Sequence, residues 1–217
     1  WDGLDGGGSS ATSVGGLVGA AGNTGVINYI KTTSGITLNA AFRKGSGTAN
    51  ADGASSGSGQ GAWDFALTGD GSSMGVEGLS LGAGYGEAEN GSEANTAGEN
   101  GDDSHITGFV NYSVGPVTAG FQMSEINYNG NGSTAENTEA WGVAFNVNDD
   151  LSISYGERDV EYDKASATNV TEKGEGIAVA YTMGSMKLVG NMNEVSDNAG
   201  TVNNNDEMKE IALSFAF

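Results

Sequence analysis

Bulky apolar side chains alternate with small or polar ones along most of this chain, and the clearest instance is its last segment. Ile211, Leu213, Phe215 and Phe217 share one face at a period of two, with Glu210, Ala212, Ser214 and Ala216 on the other. That is the repeat of a strand, not of a helix. The alternation recurs at Ile36 to Phe42, Trp63 to Leu67, Leu79 to Tyr85, Ile106 to Val114, Val117 to Met123, Trp141 to Val147, Leu151 to Tyr155, Ile177 to Tyr181 and Leu188 to Met192. With Val26 to Lys31 at the front, the pattern predicts about eleven strands. Glycines inside them fall mostly on the non-apolar face, where a large side chain would fill an interior.

The joins between strands alternate in length. They are short at 32–35, 115–116, 148–150 and 183–185, with a medium one at 70–77; they are long and polar at 45–61, 87–104, 127–138, 159–172 and 194–206. An up-and-down barrel in an outer membrane keeps that asymmetry, with tight turns on one side and long loops on the other, whereas a Greek-key sandwich has no reason to. Placing Phe217 at the periplasmic rim makes Gly61, Ser104, Thr138, Glu172 and Asp206 external starts, and assigns residues 1–23 to an external loop. Bacterial barrels of this kind have an even strand count. The parity therefore predicts an odd number of strands before Trp1. The alternative is a twelve-strand barrel using Ser13 to Ala21, a segment that Gly15, Gly16 and Gly19 make a poor strand.

Composition narrows the choice only in part. No apolar run approaches the roughly 20 residues of a spanning helix, so any membrane crossing is by strands. The chain has no cysteine, which removes disulfide frameworks and thiolate metal sites. Its 28 acidic and 8 basic side chains give a net charge of −20, a field that repels nucleic acid and gathers cations. Trp1 is neither an initiating Met nor part of a charged, apolar export segment, so a removed leader or an internal start is expected.

On the terminal segment Ile211 to Phe217 and the strand and loop pattern, the chain resembles the general diffusion porins of the alphaproteobacterial type. The resemblance implies an all-β, transmembrane, antiparallel up-and-down β-barrel of sixteen strands, of which this chain would supply strands six to sixteen. Residues 1–23 would end an external, pore-constricting loop, Trp1 to Gly8 falling where that acidic, glycine-bearing loop ends, and residues 24–217 would form the rest of a single barrel domain. It further implies a homotrimer in the cell outer membrane, in contact with lipid and lipopolysaccharide. Ile211, Leu213, Phe215 and Phe217 would be the signal read by the barrel assembly machinery. The expected function is a water-filled channel for passive diffusion of ions and small hydrophilic solutes, cation-preferring by charge, without cofactor or catalytic step. The family's first five strands, which bring basic side chains and much of the trimer contact, have no counterpart here.

Strand phase selects the candidate pore-lining side chains. Arg43 lies with Thr37 and Asn39, and Arg158 continues the Ser152, Ser154, Gly156 face; both would oppose acidic residues across a lumen, or else pair with a neighbouring carboxylate at the rim. Asp64 adds negative charge to that face, and Lys187 lies inward near the periplasmic mouth. Asp2 and Asp5 are candidates for the acidic side of a constriction and, weakly, for calcium, although two carboxylates do not specify a site. The lone histidine, His105, follows Asp102, Asp103 and Ser104. Successive residues on a strand face opposite sides, so these do not form a triad, and no G-x-S-x-G elbow is present. Gly82 to Gly86 lacks the helix and lysine of a phosphate loop. Trp63, Tyr85, Tyr112, Trp141, Tyr155, Tyr181 and Phe217, near strand ends, are expected to form two exposed girdles. Two other functions remain open at this point: a secreted or surface-displayed acidic β-protein acting as adhesin or structural layer, and an outer-membrane enzyme.

Overall fold

The computed structural model describes residues 26–43, 61–88, 103–127, 135–164 and 167–216. Eleven strands run in sequence order through one sheet: β1 (Val26–Thr33), β2 (Ile36–Arg43), β3 (Ala62–Asp70), β4 (Leu79–Ala88), β5 (Asp103–Val114), β6 (Val117–Asn127), β7 (Ala135–Asn146), β8 (Leu151–Asp163), β9 (Val170–Met183), β10 (Met186–Ser196) and β11 (Asp206–Phe215). Each is antiparallel to its sequence neighbours, giving the expected all-β meander. Residues 1–23, and with them Asp2 and Asp5, lie outside the described residues.

All the tight reversals share one edge of the sheet. Ser34 and Gly35 both have positive φ, 49° and 73°, the mirror-image turn whose twist matches the strands it joins. Asn148 closes the next-but-two reversal, its Oδ1 accepting from the Asp150 and Leu151 amides at 2.9 Å each. Between β3 and β4 a 3-10 turn, Gly71–Met74, is capped by Asp70, whose carboxylate accepts from the Ser72 amide at 2.9 Å. That bond favours the ionised form and holds Asp70 below the usual aspartate range. The turn is tight enough to require glycine: a Cβ on Gly71 would lie 2.4 Å from both Leu79 Cβ and the Val76 carbonyl.

The register separates two faces. On the outer face stand Phe65, Leu67, Ile106, Met123, Val143, Ile177, Ile211, Leu213 and Phe215, large apolar side chains that are more than a third exposed, Ile211 by 82%. Ordinary soluble surfaces do not carry a contiguous apolar face of this kind. Among the described residues, the buried strand side chains other than glycine lie on the inner face: Ala62, Asp64, Thr107, Ser124, Thr138, Ala140, Arg158, Val160, Glu172 and Asn193. Side chains from alanine to arginine are sheltered there because that is the enclosed side of the sheet.

At the long-loop edge the strands run further than hydrophobic alternation predicts. Leu151 to Tyr155 becomes Leu151–Asp163, and Ile177 to Tyr181 becomes Val170–Met183, so the expected join at 159–172 contracts to 164–169 and the one at 194–206 to 197–205. In these extensions the outer face carries Glu157, Asp159, Glu161, Lys173 and Glu175 in place of apolar residues. Ladder hydrogen bonds continue past the point where the alternation of bulk stops.

Candidate functional site on the inner wall

The wall opposite the apolar face is built mainly from small and uncharged side chains. One cross-strand row reads Ala66, Gly84, Thr107, Ser124, Thr138, Val160 and Glu172 from β3 to β9. Another places glycines side by side on four adjacent strands, Gly120, Gly142, Gly156 and Gly176. Absent side chains leave room in front of the sheet, and neighbouring groups use it. Phe109 lies over Gly82, where a Cβ would come 2.5 Å from its ring, and Asn111 lies over Gly120, where a Cβ would come 2.2 Å from its Oδ1.

Charge on this wall is handled in two ways. At β8 and β9, Arg158 is 7% exposed and its guanidinium Nη2 pairs with Glu172 Oε1, itself 2% exposed. The other Glu172 oxygen accepts from the Tyr162 hydroxyl at 3.2 Å and from the Ala199 amide at 2.7 Å. Ala199 belongs to the β10–β11 connection, so that loop is drawn back over the inner wall. Lys164 Nζ reinforces the fold by donating to the Gly200 carbonyl at 2.7 Å, and Gly200 packs so close to Tyr162 that a Cβ would meet the ring at 2.8 Å. Asp197, Ala199 and Asn203 take left-handed φ values of 54°, 54° and 63°, conformations that persist in non-glycine residues only where surrounding contacts enforce them. The loop's own bonds, Asn203 amide to Asp197 Oδ1 at 2.6 Å and Asn198 amide to Asn204 carbonyl at 2.8 Å, help to do so.

At β3 to β5 the opposite holds. Asp64, Gly86 and His105 occupy successive positions of one row. Asp64 is 6% exposed, and neither its Oδ2 nor the His105 Nε2 has a hydrogen-bond partner among the described residues. Ser104 lies on the other face of β5 from His105, as the strand period requires.

The remaining candidates distribute as follows. Arg43 occupies a β2 position on the Thr37 and Asn39 face, opposite Ala62; its side chain lies outside the described residues. Lys187 lies on the inner face between Thr182 and Ser214, next to the tight-turn edge, and is exposed. Ile211, Leu213 and Phe215 are exposed on the outer face of β11, while Phe217 lies outside the described residues. Glu172, Tyr162 and the Ala199–Gly200 segment are additions that phase alone does not reveal. Extending the β8–β9 pairing past the alternating region would have brought Glu172 diagonal to Arg158.

The outer face changes character at a line of aromatic residues. Trp141 and Tyr155 stack edge to face with ring centroids 5.7 Å apart; Trp141 Nε1 donates to Glu157 at 3.2 Å, and the Tyr155 hydroxyl reaches Glu157 at 2.6 Å and Glu175 at 2.7 Å. Trp63 packs edge to face on Phe65 at 5.4 Å and in a tilted arrangement on Tyr85 at 5.5 Å. Rings with an apolar body and a hydrogen-bonded tip suit a boundary between hydrocarbon and water.

The chain matches the Gram-negative porin family along residues 1–217. Among solved structures, it resembles an anion-selective porin from Comamonas acidovorans with a TM-score of 0.65 at 13% identity, covering 88% of this chain and 59% of that one. The trimer form of OmpT, an outer-membrane protein of Vibrio cholerae, gives 0.61 at 12% identity over 88% of this chain and 64% of that one. A further porin structure gives 0.60 at 12% identity over 88% and 61%. The chain thus spans about three-fifths of the length of the porins it resembles. No protein of curated function matches it by sequence.

Proposed function

The chain belongs to the Gram-negative porin family, and from that membership we propose that it forms the wall of a water-filled outer-membrane channel for passive diffusion of ions and small hydrophilic solutes. The observation that carries this reading is the division of one sheet into an exposed apolar face and an enclosed face of glycine, alanine, serine and threonine. Lipid covers the first and water fills the second. Conduction then needs no catalytic step, only a lumen whose width and field select solutes. In the intact protein three barrels associate, the tight turns and the terminal Phe217 face the periplasm, and Ile211, Leu213, Phe215 and Phe217 serve assembly.

The channel prefers cations. Asp64, Asp70, Glu136, Glu172, Asp206, Glu210 and the Asp103 position lie on the inner face of the described strands, against Arg158, Lys187 and the Arg43 position. Arg158 is already neutralised by Glu172, and Lys187 lies at the tight-turn mouth. Asp64 has no ion pair among the described residues, so its charge is not cancelled within the wall. The β10–β11 loop, held back by Glu172, narrows the opening at the long-loop end.

Stepwise, ohmic conductance increments in a planar bilayer, together with a detergent-stable trimer that heat converts to monomer, are the expected results. A protein that stays soluble without detergent and adds no conductance would refute the channel.

A further inference from the structure

A depression of about 590 Å³ lies on the inner wall of β5 to β8. Its floor is Gly120, Gly142, Ala140 and Ala144, and its sides carry Phe109, Asn111, Thr118, Gln122 and Ser154. The volume falls in the ~300–1,000 Å³ range of small-molecule pockets, and an apolar floor with a few placed polar groups is their usual make-up.

The lining is distinctive for what it bears in a chain of net charge −20: no ionisable side chain. Asn111 offers a carbonyl acceptor and an amide donor, and Thr118 and Ser154 hydroxyls that donate and accept. Of the three aromatic residues that line it, Phe121 and Trp141 turn their side chains to the outer face, and Phe109, held against the inner wall by Gly82, borders the depression without closing it. A charged solute would give up hydration there without gaining a counter-charge, which is unfavourable. A neutral solute with several hydroxyls and an apolar C–H face matches every part of the lining.

We propose that this depression is a weak binding subsite for neutral polyhydroxylated solutes of sugar type on their way through the channel. The proposal rests on the channel reading above. Occupancy places the solute's C–H face toward Phe109 and the glycine floor, and its hydroxyls toward Asn111, Thr118 and Ser154. Gly142 is essential to the geometry, because any larger side chain would stand up into the space from the middle of the floor.

The test is single-channel recording of the full-length protein in symmetrical salt, with glucose and then maltose added in steps. The expected result is a concentration-dependent, saturating fall in current, with the half-blocking concentration rising about tenfold in the Phe109→Ala, Asn111→Ala double variant through loss of one ring contact and one hydrogen bond. Gly142→Val and, as a milder filling change elsewhere on the floor, Ala144→Leu should abolish saturation while conductance in salt alone persists. A current that falls only in proportion to solution viscosity would overturn the subsite while leaving the channel intact. Block by the sugar that both filling variants retain would also overturn it, and absence of any salt conductance in the unmodified protein would instead refute the channel itself.

Discussion

Two parts of the same inner wall treat a buried carboxylate in opposite ways. On β8 and β9, Glu172 is surrounded by Arg158, Tyr162 and the Ala199 amide, and a loop is folded down upon it. On β3, Asp64 is almost equally buried, yet its nearest inner-face neighbours along the row are Gly86 and Ala41, which offer it no side-chain donor. The first arrangement spends its charge internally and yields shape: a loop fixed at the mouth. The second leaves its charge unmatched and yields field. An arginine on a lumen-facing strand is therefore not by itself a positive element of the pore, because what it does depends on whether a carboxylate already holds it.

The comparison breaks most visibly at Glu172. Replacing it with alanine leaves the Arg158 guanidinium buried without a partner, a loss of about 3–5 kcal/mol for a pair of this kind. Glu172→Ala is expected to lower the heat at which the folded protein converts to its unfolded band in detergent, and to raise single-channel conductance as the β10–β11 loop comes free. Glu172→Gln, which can still accept from Ala199, should do less of both.

A smaller effect of the same sense is expected at Gly200. Its φ of 64° is left-handed, and a Cβ would strike the Tyr162 ring, so Gly200→Val should displace the loop at a cost of about 1–3 kcal/mol. Conductance should rise while the Arg158–Glu172 pair, and with it most heat resistance, is kept. If conductance stayed unchanged in both variants, the loop would not be narrowing the mouth.

Asp64 sharpens the other side. A unit charge about 4 Å from a passing ion is worth ~1 kcal/mol in water, so Asp64→Asn should reduce the cation-to-anion permeability ratio by about fivefold. Heat resistance should hold or improve, because a buried carboxylate without a partner is replaced by a neutral amide. The amide substitution at Glu172 would lower the permeability ratio too, by releasing the Arg158 charge, but would reduce heat resistance. The smallest effect belongs to Asp70, at the tight-turn edge. Its carboxyl is held below its ordinary range by the Ser72 amide, so its contribution to stability is complete above that range and is lost as pH falls through its lowered value. Asp70→Asn should flatten the acid limb of the heat-stability profile slightly, with no change in conductance.

Hydrophobic period and loop length made the meander legible because lipid and lumen impose a strict alternation over the apolar band. Beyond that band the constraint lapses. The outer positions of β8 and β9 become Glu157, Asp159, Lys173 and Glu175, polar residues alternate with polar residues, and the outer halves of these strands read as loop. The same lapse conceals the site: Arg158 was visible as an inner-face position, but Glu172 fell in what looked like a connection. The loop latch was beyond reach of pattern altogether, since Ala199 and Gly200 act through a backbone amide, a carbonyl and the absence of a side chain. Asp64 was the easier case, because its strand lies wholly within the alternating region.

The most direct test of the charge pattern on this wall is the reversal potential of the full-length protein in a planar bilayer under a salt gradient. An Asp64 without an ion-pair partner among the described residues, on an inner wall whose Arg158 is held by Glu172, predicts a potential of the sign set by cation permeation, and a shift toward zero in Asp64→Asn. A potential set by anion permeation in the unmodified protein, left unmoved by Asp64→Asn, would contradict it.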